Sequence, residues 1–287
     1  MMLQGYSVLM SVYQKDQPQH FILAAESMFS QTIAPGELVL VCDGPLTREL
    51  EAAIQLIEKA HPYSCNILRL SENRGLGTAL REGIKHCRYP LVARMDSDDL
   101  SLPTRCAAQL REFEQNDALA LLSGTIAEFD ADPSRSFACR RLPCTNQAIR
   151  RYAKRRNPMN HMAVMMKREA VLAAGNYGDF SGMEDYELWS RMLQRGFEAA
   201  NLEQVLVLAR IGNGFFDRRG GLCYAKAALR LQYHFLKSGF ISAPRFLANC
   251  LIRLAVSLIP VAARRWFYSR VLRNKGCKGN SNESKTI

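Results

Sequence analysis

Short apolar runs alternate with apolar residues at helical spacing through the first hundred positions. Residues 7–13 read as a buried strand, and 18–30 carry Phe21, Ile22, Ala25 and Phe29 on one helical face. Glu37–Cys42 is a continuous apolar run ending in Asp43-Gly44, and Arg48–Ala60 has a helical pattern. Residues 65–70 predict a third strand, followed by a glycine-containing turn and a helix reaching about Cys87. Residues 89–95 predict a fourth strand, which runs into an acidic cluster. Strand and helix in regular alternation imply an α/β fold with a mostly parallel central sheet and helices on both faces.

The second half is less regular. Leu119–Phe129 predicts a strand, 146–156 a basic helix, 162–167 a short strand, and 168–174 a helix ended by Gly175. Residues 181–185 open a helix whose apolar face is Leu188, Trp189, Met192 and Leu193, closed by Gly196. Residues 202–209 predict the last buried strand, and 222–275 read as amphipathic C-terminal helices. The apolar stretch 246–262 is interrupted by Asn249, Arg253 and Pro260, too often for a clean membrane span.

Composition changes this picture in one respect. The net charge of +11 raises the question of an anionic partner, and its distribution answers it. Residues 216–287 carry 14 Lys and Arg against 2 Asp and Glu, whereas residues 1–215 carry 24 against 25. The chain therefore divides into a near-neutral body, 1–215, and a basic helical region, 216–287, with a polar end expected to be disordered. Arg245, Arg264, Arg265, Arg270 and Arg273, interleaved with Trp266, Phe267 and Tyr268, suit a helix lying on an anionic membrane surface. Packing of these helices on the body is the alternative, and no nucleic-acid partner is expected. Nine scattered cysteines with no Cys-x-x-Cys pair are expected to be buried free thiols of a reducing compartment. No secretory signal precedes the first strand, so the protein is expected in the cytoplasm, peripheral on the inner face of the membrane.

Three acidic features could carry chemistry. Asp96, Asp98 and Asp99 follow the fourth strand within four residues and repel one another unless a cation neutralises them. Hard divalent ions, Mn²⁺ or Mg²⁺, prefer such oxygens and bridge to diphosphates. A solvated acidic turn capping the next helix is the bland alternative. Tyr13, Asp43 and Asp96 all sit at carboxyl ends of strands, where open α/β sheets bind ligands. Glu184-Asp185 at a helix start interact favourably with its dipole, or supply a general base. His161, after Asn157-Pro158-Met159-Asn160, is a candidate contact to acceptor or diphosphate, and Arg151, Lys154 and Arg155 line a basic face that could attract the same phosphates. Asn73-Arg74-Gly75-Leu76-Gly77 is similar to a phosphate-cradling turn, although the full dinucleotide fingerprint is absent.

Taken in order, Ser11-Val12-Tyr13, Val41-Cys42-Asp43-Gly44, the Asn73–Gly77 turn, Asp96-Ser97-Asp98-Asp99 and Glu184-Asp185-Tyr186-Glu187-Leu188-Trp189 resemble family 2 glycosyltransferases, over roughly residues 5–210. The nearest likeness is to bacterial enzymes of O-antigen and exopolysaccharide assembly. The resemblance implies a GT-A fold and a metal-dependent, inverting transfer from a nucleotide sugar. It implies that Ser11, Tyr13, Asp43, Asn73, Gly75 and Asp96 bind the donor. Asp98, with Asp96 and Asp99, would hold the metal. Asp185 would be the base, with Glu184 beside it, and His161, Arg155 and Trp189 would contact acceptor or phosphate. It further implies a polyprenyl-diphosphate-linked sugar (GlcNAc or GalNAc) as acceptor, with UDP-galactose or UDP-glucose as donor. A non-lipid acceptor, a nucleotidyltransferase or a non-catalytic docking module are the rival readings. Residues 14–18 lack the Gly-rich basic signature of nucleotidyltransferases. One departure is the stretch Arg210-Ile211-Gly212-Asn213-Gly214, where many relatives carry a histidine.

Overall fold

A computed structural model describes residues 5–212 and 221–258. The first half alternates as its apolar pattern requires: β1 (Tyr6–Val12), α1 (Pro18–Phe29), β2 (Glu37–Cys42), α2 (Arg48–Ala60), β3 (Cys65–Arg69), α3 (Leu76–His86) and β4 (Leu91–Arg94). Pro18 opens α1, where its missing N–H costs nothing. Thr47 caps α2 by accepting the Leu50 N–H on its hydroxyl at 3.3 Å. There follow β5 (Leu100–Ser101), α4 (Arg105–Gln115), β6 (Leu119–Phe129), β7 (Ala138–Arg140) and α5 (Asn146–Ala153). A 3₁₀ turn (His161–Ala163), β8 (Met165–Lys167), α6 (Arg168–Ala173), α7 (Glu184–Gln194) and β9 (Glu198–Arg210) complete the sheet region, and α8 (Gly221–Lys237) and α9 (Ala243–Leu258) end the described chain.

One sheet runs in the order β3-β2-β1-β4-β8-β6-β9-β5, with β7 paired to β6. The first four strands are parallel, and so are β6 and β9. The pairings β4–β8, β6–β8, β6–β7 and β5–β9 are antiparallel. The sheet is thus parallel where the βαβ alternation is regular and mixed beyond it. Chain order reverses beside β1, whose neighbours are β2 and β4, and this is where such sheets open a crevice at their carboxyl ends.

Period-two alternation sends side chains to two cores. Val8, Met10, Leu38 and Leu40 pack with Phe21, Ile54 and Leu110 of α1, α2 and α4. Leu9, Val39 and Val41 face the other side, against Ala79 and Ile84 of α3 and the α7 residues Leu188 and Trp189. Ala228, Leu231 and Phe235 of α8 join this second core, and the Phe235 ring meets Tyr186 edge-on at 5.0 Å. The region beginning at residue 216 therefore packs its first helix directly on the sheet domain.

Helix α9 is inverted in its polarity. Asn249 is buried, donating to the Lys154 carbonyl at 3.0 Å and to Gln232 Oε1 at 2.7 Å, and Arg253 reaches the Arg155 carbonyl. Its leucines point the other way: Leu247, Leu251 and Ile252 are 61%, 69% and 62% exposed. No helix among the described residues is long and apolar enough to cross a membrane. Pro260, Arg264, Arg265, Trp266, Phe267, Tyr268, Arg270, Arg273 and the polar end lie outside the described residues. Among the described residues six cysteines are free thiols; Cys42, Cys87 and Cys106 are buried as expected, Cys65, Cys144 and Cys250 are only half-buried, and Cys139 is disulfide-bonded, against the expectation.

Candidate active site

The carboxyl end of β2 builds a cradle. Asp43 accepts the backbone N–H groups of Arg74 and Gly75 on its two oxygens, at 2.8 and 2.9 Å, and Asn73 Nδ2 donates to the Asp43 carbonyl. Two glycines allow this. Gly44 has φ +84°, and a Cβ there would lie 2.5 Å from the Asn73 nitrogen; Gly75 has φ +85° at the start of α3. Asp43 therefore shapes the turn from Asn73 to Gly75 rather than standing free beside it. At the end of β1, Asp16 accepts the Tyr13 N–H at 3.1 Å and the Ser97 hydroxyl at 2.9 Å, which ties the Ser11–Tyr13 strand end to the acidic loop.

That loop brings carboxylate oxygens of Asp96, Asp98 and Asp99 within 4.8 Å of one another. Partial desolvation, then the Asp96 and Asp16 carboxylates, push Asp98 up to about 6. Burial, then Asp96 and Asp98, drive Asp99 well above the carboxylate range. Clustered, acceptor-only oxygens that resist ionisation together fit a hard divalent cation. The three are not equivalent. Asp99 is buried and accepts the Arg210 N–H at 2.7 Å, so it anchors the loop, whereas Asp98 reaches solvent and Asp96 is half-buried. Arg210, the first residue of the stretch that departs from the family pattern, also donates from Nε to the Asp98 carbonyl at 3.1 Å.

The second carboxylate pair opens α7. Asp185 accepts Asn157 Nδ2 at 2.6 Å and the Tyr186 N–H at 2.7 Å, while burial raises it above the usual range. Glu184 is buried with Oε2 unpartnered among the described residues, and burial, then Asp185, push it up to about 7. Helix α3 meets α7 here, for a Cβ at Gly77 would lie 3.1 Å from Glu184 Cβ. The Asp43 cradle and the Glu184-Asp185 pair are therefore neighbours.

Glu184 also predicts a pH dependence of stability. A carboxyl held protonated by the fold contributes stability that is complete below its ordinary value of 4.5 and lost as pH rises through about 7. Glu184→Gln removes that loss, so its melting temperature should gain on the parent's between pH 5 and 8. Parallel melting curves across that range would rule the assignment out.

One charged residue acts on both carboxylate groups, and no motif marks it. Arg94, the last residue of β4, is fully buried and ion-paired with Asp96, while its Nε and Nη1 have no partner among the described residues. Its charge favours the ionised forms of Asp98, Asp99, Glu184 and Asp185, and disfavours protonation of His161. A lone arginine in an otherwise apolar strand was the signal available. Asp16 and Tyr177, and the part that Asn157 plays at Asp185, have no such signal, because each contact joins residues distant in sequence.

His161 lies on the same floor, its Nε2 3.0 Å from the Tyr177 hydroxyl, held neutral chiefly by burial. Trp189 packs edge-on to both rings and is fully buried, so it supports His161 from behind and is not placed to touch an acceptor. Arg151, Lys154 and Arg155 are exposed beside the docked α9.

Comparison with known proteins identifies the family. Residues 7–173 match the model of glycosyl transferase family 2. The chain is 35% identical over 268 residues to UDP-Gal:alpha-D-GlcNAc-diphosphoundecaprenol beta-1,3-galactosyltransferase of Escherichia coli, covering 93% of this chain and 96% of the relative. It is likewise 35% identical over 268 residues to the amylovoran biosynthesis glycosyltransferase AmsE of Erwinia amylovora, covering 92% and 98%. Among solved structures, the fold is shared with the Pyrobaculum calidifontis mannosyltransferase PcManGT in complex with GDP-Man and Mn²⁺ (TM-score 0.65, 16% identity, 98% of this chain and 79% of that one). It is also shared with S. aureus TarS 1-349 in complex with UDP-GlcNAc (TM-score 0.66, 14% identity, 92% and 79%). The architecture is the GT-A fold, and the chain belongs to the family 2 glycosyltransferases.

Proposed function

We propose that this enzyme transfers galactose, with inversion, from UDP-galactose to an N-acetylhexosamine carried on a polyprenyl diphosphate, at the inner face of the bacterial membrane. One observation carries the reading: the Asp96/Asp98 carboxylates and the Asp185 carboxylate all feel the charge of buried Arg94, and the Asp43 cradle opens the helix whose Gly77 adjoins Glu184. The choice of donor and acceptor draws on the E. coli relative's activity.

Ser11, Tyr13 and Asp43 would line the nucleoside of the donor, with Asn73 and Gly75 completing that wall. Asp96 and Asp98 would hold Mn²⁺ or Mg²⁺, which when bound neutralises charge developing on the departing diphosphate. Asp185 takes the proton of the attacking hydroxyl. The new C1–O bond forms as the bond to UDP breaks on the opposite face, so the anomeric centre inverts with no covalent sugar–enzyme intermediate. A base pulled up from the usual carboxylate range by burial transfers protons more effectively near neutral pH. Glu184 shapes the acceptor side, and His161 and Arg155 are the remaining candidate contacts to acceptor or phosphate.

Helix α9 supports the membrane part of the reading. Its polar residues dock inward and its leucines face out, the arrangement expected of a surface that meets lipid. This favours a lipid-linked acceptor over a soluble one.

Labelled UDP-galactose, Mn²⁺ and a synthetic GlcNAc-diphosphate-lipid test the proposal. Label should enter the lipid-extractable product; label in soluble sugar alone would sink the acceptor assignment. In the same assay Asp98→Ala should lower transfer by about a hundredfold or more and blunt its response to Mn²⁺. Unchanged metal dependence in that variant would remove Asp98 from the metal site.

A further inference from the structure

We infer that the groove between α8 and α9 seats the polyprenyl chain of the acceptor, with Arg230 and Lys226 meeting its diphosphate; this rests on the lipid-acceptor reading above. The groove offers a volume of about 720 Å³ and is lined by Ala225, Leu229, Tyr233, Phe246 and Leu254, with Lys226 and Arg230 among its walls. That volume lies within the range of ligand-binding clefts. It is an open surface feature, since Tyr233 and Leu254 are 61% and 38% exposed.

Charge and position select the occupant. The cations belong to α8, where Lys226, Leu229, Arg230 and Tyr233 share one helical face. The Arg230 guanidinium lies over the Phe180 ring at 5.3 Å. The Phe180 carbonyl in turn accepts the Met183 N–H at 2.7 Å, directly before Glu184 and Asp185. The Arg230 cation therefore stands next to the segment that presents the base, Lys226 lies one turn away on α8, and hydrocarbon lines the rest of the cleft. An amphiphile in which a diphosphate joins a sugar to a long hydrocarbon has the same order of groups: sugar at the base, diphosphate at Arg230 and Lys226, chain along the groove. The outward residues Leu247, Leu251 and Ile252 lie outside that lining and remain available to the bilayer.

The test uses two acceptors with the same GlcNAc-diphosphate head, one bearing a long prenyl chain and one a methyl ester, in detergent with the full-length enzyme. Tyr233→Gln/Leu254→Gln changes exposed groove positions and should lower the long-to-short ratio of kcat/KM by about tenfold, as hydrocarbon burial is lost. Arg230→Gln should instead raise KM for both acceptors, because both carry the diphosphate. An unchanged long-to-short ratio in the double variant, or unchanged KM values in Arg230→Gln, overturns the assignment. Should the parent enzyme transfer to neither acceptor while still releasing UDP from the donor, the acceptor reading itself has failed, a result distinguishable from a groove that does not read chain length.

Discussion

Asp185→Asn should lower the turnover of sugar transfer by about a thousandfold while leaving UDP affinity unchanged. The carboxylate is held at the start of α7 by Asn157 Nδ2 at 2.6 Å and by the Tyr186 amide, contacts that leave it aimed by the protein and not by the donor. Asparagine preserves size and much of this hydrogen bonding but cannot accept a proton, so chemistry is lost and binding is kept. Isothermal titration with UDP and Mn²⁺, alongside single-turnover transfer, separates the two. A variant that lost UDP binding in proportion to turnover would place Asp185 in the donor site instead. In the parent enzyme, transfer should fall as pH drops through the raised Asp185 value, since only the ionised base accepts the proton.

Arg94→Met is the second large effect. The guanidinium is fully buried, pairs with Asp96, and favours ionised Asp98, Asp99 and Glu184 and, with Arg140, ionised Asp185. Removing one partner of a buried pair costs about 3 kcal/mol or more. Here the deficit should depend on pH. Without Arg94 the carboxyls ionise less readily in the folded state, so destabilisation is greatest at pH 8, where the fold must carry their charge. It shrinks towards pH 5, below the value of about 7 for Glu184, as they protonate. Denaturant midpoints across that range check it, and a deficit independent of pH would mean that Arg94 serves packing alone. Lysine at this position keeps the charge but not the planar fork, and should recover only part of the loss.

Much of the fold could be read from pattern. Glu37–Cys42, Arg48–Ala60 and Leu119–Phe129 match their expected bounds, because each has a long, unambiguous period or a continuous buried run. β5, two residues long, and β7, three, were not expected, since so short a strand is defined by its partner and not by its own sequence. The tail illustrates the same limit. Asn249 and Arg253 read as interruptions of an apolar helix, and only packing shows that they are its docking face. The family resemblance implies an acceptor contact for Trp189, yet the 3.6-residue period that makes α7 amphipathic turns Trp189 into the core.

What the sequence determined alone was the order of the longer strands and helices, and the identity of the acidic groups that end them. Local propensity and side-chain period act within a few residues, and composition along the chain records them. Tertiary structure decided which groups share a field: that Asp43 holds the Arg74 and Gly75 amides, that Asp99 anchors Arg210 while Asp98 stays open, and that the charge of Arg94 reaches both carboxylate groups. Electrostatic strength depends on distance and burial, and neither exists until segments remote in the chain have packed together.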